Sequence, residues 1–279
     1  MAETGSRWDP TTRQQLERLD RLENQARRRW SEWLSAVAAA ALWWVTRPTS
    51  PEQIANATLP LPGQLARLLT QQGEVMLGTG MAHGDYEVRR LLQRYAGGPT
   101  PALLRVEANH RVVPVDALRS LHTRSIILAG DVEADVLTGL KRIGMRSLTG
   151  QIRPRQAEAA VEQLMQTTAA RARNIVTTEG TRDYNAGRVA TFKAGEVDHV
   201  QFSAILDQKT SHQCRTRHGL IMAMDDPRLK DNTPPLHGHC RSILKPVLAR
   251  YEPDLMRESW RFDWSNAAAL PMGWSPHAA

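Results

Sequence analysis

The chain has 279 residues, 41% hydrophobic and 23% charged, enough for one large domain or two modest ones of ordinary globular composition. Two cysteines are too few for a disulfide-dense secreted scaffold, and the polar start MAETGSRWDPTTRQQLERLD does not read as a signal peptide. A formal net charge of +7 suits contact with DNA or with an acidic protein surface, without an RRM, zinc-finger or helix-turn-helix signature to choose between them.

The first predicted element is a long helix over residues 10–46, capped by Thr11 or Thr12 after Pro10. Leu16, Leu19, Leu22, Ala26, Trp30, Trp33 and Val37 recur at three- and four-residue steps and form one apolar stripe. The following WLSAVAAAALWWVT is uncharged but too short to span a bilayer, so its Ala/Trp end reads as buried against its own domain or a neighbouring subunit. A Pro-punctuated connector, residues 47–62, leads to two short helical patterns, Gln64 to Leu77 and Tyr86 to Tyr95. The Gly-rich stretches GTGMAHGD and AGGPTP flank the second. Gly78–Thr79–Gly80 lacks the Lys-Ser/Thr ending of a phosphate loop and reads as a turn.

Leu103 to Val115 alternates weakly, as a short strand would. Asp116 and Asp131 then read as caps of two helices, the second carrying Val132, Val136, Leu140 and Ile143 on one face. A helix from Pro154 and another over residues 168–190 follow, with Gly180 and Gly187 each costing the latter about 1 kcal/mol. Past Gly195 the period changes: His199 to Leu206 and RSILKPVL read as strands. The tail, with Trp260, Trp264 and Trp274, is poorly periodic and reads as a segment that docks on another surface.

Chemistry concentrates between Asp207 and Pro246. That stretch holds both cysteines, Cys214 and Cys240, and four of the nine histidines, His212, His218, His237 and His239. Cys214, His237, His239 and Cys240 make a zinc-type donor set, although the spacing is not that of a finger. The same residues fit other readings. Cys240 with His237, or Cys214 with His239, would make a thiol nucleophile, but no oxyanion hole is legible beside them. Buried cysteines with locally bonded histidines, or a disulfide formed in an oxidising medium, complete the alternatives. Glu179, among Arg173, Arg182 and Arg188, reads as a paired structural carboxylate, and Asp225 and Asp226 as a solvated loop pair.

In order, ARNIVTTEGTRDYNAGR, DQKTSHQCRTRHG and PPLHGHCRS resemble the phage head morphogenesis domain, the family of the phage Mu F protein and the SPP1 minor head protein. The resemblance rests on Thr178, Glu179, Asp207, Thr210, Ser211, Cys214, Gly219, Pro234, Pro235, His237, Cys240 and Arg241, and covers about residues 115–248. Lys209 stands where the family has Arg, His239 where it has Asn, and Ser242 where it has a last Cys. The resemblance implies a structural minor head protein of a tailed phage or phage-like particle, associated with the portal or major capsid protein. Head assembly and the packaging or delivery of double-stranded DNA would be its work, in the virion and, during assembly, the host cytoplasm.

The expected fold is α+β. A helical region over residues 1–114 precedes the head-morphogenesis domain at 115–248, a small mixed domain with a short antiparallel sheet and the Cys/His loop; the Trp-bearing tail occupies 249–279. Asp207, Thr210, Cys214, His237 and Cys240 are expected to organise the small domain, while the termini dock. Arg27, Arg28 and Arg29 are the candidate DNA contacts. No cofactor is expected, zinc being the one candidate, and no membrane span. The rival functions are a metal-dependent hydrolase or nuclease using the Cys/His site, and a basic DNA-binding assembly factor.

Overall fold

A computed structural model describes residues 10–96, 114–259, 262–272 and 274. In chain order the elements are α1 (Pro10–Thr46), α2 (Pro51–Ala55), α3 (Gln64–Ala96), α4 (Val115–Leu148), α5 (Pro154–Ala194), β1 (His199–Ser203), α6 (His212–Arg215), β2 (Ile221–Ala223), α7 (Leu229–Asn232), β3 (Ile243–Val247) and α8 (Pro253–Ser259). A 3₁₀ turn covers Trp264–Asn266. The fold is therefore α+β as expected: long helices first, then a small antiparallel sheet beside the Cys/His region.

The bundle follows from the apolar stripes. Trp30, Trp33, Val37, Ala41 and Trp44 of α1 meet Ala129, Val132, Val136, Leu140 and Ile143 of α4 and Ala157, Val161, Ala172 and Val176 of α5 in one core. One side of the Ala/Trp end of α1 is thus internal, with Val37, Ala41, Trp44 and Val45 buried, while Leu42 and Trp43 face outward. Thr11 and Thr12 lie inside the first turn of α1 and do not precede it. The apolar period on α4 runs unbroken through Ser125, Ala129 and Val132, so Asp131 is mid-helix and caps nothing.

Three expected breaks are absent. α3 is one helix across GTGMAHGD, α4 one across Asp131, and α5 one across Thr168. At α3 the reason is packing. A Cβ on Gly80 would lie 2.0 Å from the Tyr184 carbonyl oxygen, and one on Gly187 2.1 Å from that of Leu77. These glycines let α3 and α5 approach at backbone distance; they do not make turns. The helix-propensity penalty assigned to Gly187 is offset by a contact that no other residue permits.

α5 has 41 residues and so runs about 60 Å, long enough to serve both halves of the molecule. Pro154 at its first turn needs no N–H partner, and Gln156 Oε1 accepts from Arg153 N at 2.8 Å. Its C-terminal half is buried nearly all round, from Thr177 to Phe192. There it meets the sheet, whose order is β2-β1-β3, antiparallel throughout. His199 pairs with Ala223 on one side and Val247 on the other. Pro246, which cannot donate to a ladder, sits on β3 at the sheet edge. Val200, Phe202, Leu244, Leu220 and Phe192 form the second core, with Val88 and Leu92 of α3.

β2 was not expected, and β1 stops at Ser203, short of Leu206. The described part of the tail is more ordered than its sequence suggests, and it docks on its own chain. Arg217 Nη1 donates to Ala268 O at 2.8 Å, Trp274 Nε1 donates to Pro235 O at 3.3 Å, and the Arg228 guanidinium lies 4.2 Å from the Trp264 ring centre. The expected strand over Leu103–Val115, apart from its end in α4, and Trp260 lie outside the described residues.

Candidate functional site

The site is built where two loops meet the inner half of α5. From β1 the chain turns at Asp207. Its carboxylate accepts from Lys209 N at 2.9 Å and lies 3.0 Å from Thr210 Oγ1, while Arg241 Nη2 donates to both its oxygens at 2.8 and 2.9 Å. These bonds, Arg241 first, hold the Asp207 carboxyl down at about 2. The pair ties the turn after β1 to the segment entering β3. Ser211 then caps the short α6, its Oγ accepting from Cys214 N at 3.3 Å. Gly219, at φ +87°, reverses the chain into β2.

The second loop arrives through a cis Pro234–Pro235 bond and places His237 and Cys240 against Cys214. Cys214 Sγ is 3.1 Å from His237 Nε2 and 3.6 Å from Cys240 Sγ. The donor atoms of all three residues lie within 4.8 Å of one another. His237 Nδ1 is 2.7 Å from Gly238 O; a carbonyl can only accept, so Nδ1 carries a proton and Nε2 is the atom offered to the cluster. Ser211 Oγ lies 2.7 Å from that Nε2.

The electrostatics split the two thiols. Hydrogen bonding from Cys240, then from His237 and the Ser242 and Ser211 hydroxyls, pulls the Cys214 thiol down against the effect of burial. Burial, reinforced by the neighbouring Cys214 sulfur, pushes Cys240 up. The bond to Cys214 raises His237 despite burial. One negative charge shared by the sulfurs beside an imidazolium is the state these contacts favour.

His239 does not join the cluster. Its backbone is left-handed (φ +58°) and its side chain exposed, while its N–H donates to Thr178 Oγ1 at 3.2 Å. His218 also turns elsewhere, its Nδ1 accepting from Ala204 N at 3.1 Å. Glu179 is paired, with Arg124 at 2.9 Å and Arg182 at 3.2 Å. Arg27 is turned toward α5, donating to Glu23 and to Thr177 Oγ1, which leaves Arg28 and Arg29 as the exposed members of the basic run.

Thr178, legible in the sequence, opens a polar ridge on α5 whose other members, Thr181, Asn185 and Arg188, are not among the site residues read from the sequence. Thr178, Thr181, Asn185 and Arg188 recur at steps of three, four and three residues, all facing the backbone of residues 239–244. Thr181 Oγ1 donates to Cys240 O at 2.6 Å, Asn185 Nδ2 to Ser242 O at 3.2 Å, and Arg188 Nε to Leu244 O at 2.7 Å; Asn185 Oδ1 accepts from Leu244 N at 2.9 Å. The signal was present as helix-spaced polar residues in TTEGTRDYNAGR, flanked by glycines that forced burial.

Residues 132–245 match the family described as Phage Mu protein F like protein, which bears out the resemblance carried by the motifs. No curated protein and no solved structure matches. Among the described residues no helix is long and apolar enough to cross a membrane.

Proposed function

We propose that the chain is a minor head protein seated at the portal, acting in head morphogenesis and in the packaging or delivery of DNA. The match of residues 132–245 to the phage Mu F-like family carries this reading. The architecture supports it: one rigid helix, α5, joins a helical bundle to a small domain held in shape by its own loops. Because the described tail packs on the small domain, the bundle is the better docking element, and Trp43, 63% exposed at the end of α1, is its most prominent apolar side chain. Co-purification with the portal protein of the same particle tests the proposal. A chain that stays monomeric beside assembled portal, at low and at moderate salt, would sink it.

A DNA contact is a second reading, favoured by the exposed Arg28 and Arg29 on a chain of net charge +7. Its mark is DNA affinity that falls steeply with salt and falls further in Arg28→Glu/Arg29→Glu. The enzyme reading draws less support. The sulfurs of the Cys/His cluster belong to residues 3% and 0% exposed, which suits holding a fold better than meeting a substrate.

A further inference from the structure

We infer that Cys214, His237 and Cys240 form a structural zinc site. The inference stands on the cluster's geometry alone and does not depend on the portal reading. Zinc bound at about 2.3 Å to sulfur and 2.0–2.1 Å to nitrogen in a tetrahedron sets sulfur–sulfur and sulfur–nitrogen edges of about 3.8 and 3.6 Å. The two sulfurs already stand 3.6 Å apart, and Nε2 stands 3.1 Å from one of them. To admit an ion, the Cys214–His237 edge must open by about half an ångström, and all three donor atoms already lie within 4.8 Å of one another.

Three further observations point the same way. His237 Nδ1 donates to Gly238 O at 2.7 Å, the outer-shell bond that fixes a metal-binding imidazole in the tautomer with Nε2 free. Two thiolates and a neutral imidazole exactly balance the charge of a divalent ion, so occupancy leaves no net charge in a pocket where Cys214 and Cys240 are 3% and 0% exposed. Sulfur and imidazole donors together select zinc over magnesium or calcium. The fourth position falls to a small oxygen donor, and the Ser211 hydroxyl lies 2.7 Å from Nε2.

The site would link α6 to the loop that enters β3, with Thr181 holding that loop on α5 through Cys240 O. On binding, the remaining thiol proton and the proton on His237 Nε2 pass to solvent as sulfur and nitrogen take the metal, and no oxidant or reductant is required.

The test uses the full chain, purified without a polyhistidine tag under reducing conditions. One zinc per chain is expected by elemental analysis. Cobalt exchanged into the wild type should give the intense visible and thiolate charge-transfer bands of a tetrahedral sulfur–nitrogen site. Cys214→Ala, Cys240→Ala and His237→Ala should lose the metal, while His239→Ala and His218→Ala keep it. Should the cysteine variants fail to fold, the wild-type cobalt spectrum still decides. Two reduced thiols that take up neither zinc nor cobalt would overturn the proposal, as would loss of the metal in His239→Ala. A Cys214–Cys240 disulfide that, once reduced, still binds no metal overturns it equally.

Discussion

Asn185 accepts a hydrogen bond from the Leu244 backbone N–H at 2.9 Å, binding a helix side chain into the first turns of an edge strand. The same amide donates to Thr181 O and Ser242 O, and the residue is fully buried. Asn185→Leu would leave the Leu244 N–H and the Ser242 carbonyl without partners in an apolar setting, at about 1–3 kcal/mol each. The expected loss is therefore about 2–6 kcal/mol, read as a lower urea midpoint at unchanged slope. A loss under about 1 kcal/mol would mean that the ridge does not fasten β3.

Two glycines two residues apart should respond with opposite sign. A Cβ on Gly78 meets nothing within 4 Å, whereas one on Gly80 would lie 2.0 Å from Tyr184 O. Gly78→Ala should stabilise α3 by about 0.5–1 kcal/mol through helix propensity. Gly80→Ala must push two helix backbones apart and should destabilise by about 2 kcal/mol or more, in spite of the same propensity gain. Thermal melts of the two variants beside wild type check both, and equal shifts would contradict the close approach of α3 and α5.

The contrast also shows what a single sequence makes legible. Apolar stripes announce α1 and the α4 face, because burial of one helix side imposes a period that survives in the residues. The order of Thr178, Asp207, Cys214, His237 and Cys240 announces the site, since each residue type has chemistry to perform there. Gly78 and Gly80 are the same letter with different physical reasons, one on open space and one on a carbonyl, and only the partner helix tells them apart. Thr181, Asn185 and Arg188 stayed hidden for the same cause. Their acceptors are backbone atoms about 60 residues away, which leave no residue type to read. β2, three residues long, is too short to repeat the two-residue alternation that would reveal a strand.

Arg124 spans two acids on α5, with Nε 2.9 Å from Glu179 and Nη2 2.7 Å from Asp183. Burial outweighs that pull at Asp183, whose carboxyl is pushed up to about 7. A folded pKa above the ordinary 3.8 means that protonation favours the folded chain, so this group's contribution declines as pH rises from about 4 to 7. Arg124→Ala removes the main counter-charge. It should cost about 3–5 kcal/mol at pH near 8, where the buried Asp183 is ionised. The cost should shrink toward pH near 5 as a proton on Asp183 replaces the arginine. Denaturant titrations of variant and wild type at the two pH values measure this, and a cost independent of pH would place the Asp183 carboxylate in contact with solvent.

His83 gives the opposite slope. Arg188 Nη1 donates to Tyr184 Oη at 3.1 Å, which leaves the phenol proton for His83 Nδ1 at 3.0 Å. Burial, then the positive charges of Arg188 and Arg18, push the imidazole down to about 4, so it stays neutral and accepting. Its folded pKa lies below the ordinary 6.5, so its contribution is complete above pH 6.5 and is lost as pH falls toward 4. His83→Gln keeps a hydrogen-bonding group but cannot take up a proton. The stability difference between wild type and variant should therefore be constant above neutrality and shift in the variant's favour on acidification below pH 6.5. In the wild type, the ring-proton resonances of His83 should titrate with a midpoint near 4. A midpoint at the ordinary value would show that Tyr184 and the two arginines do not face a buried imidazole.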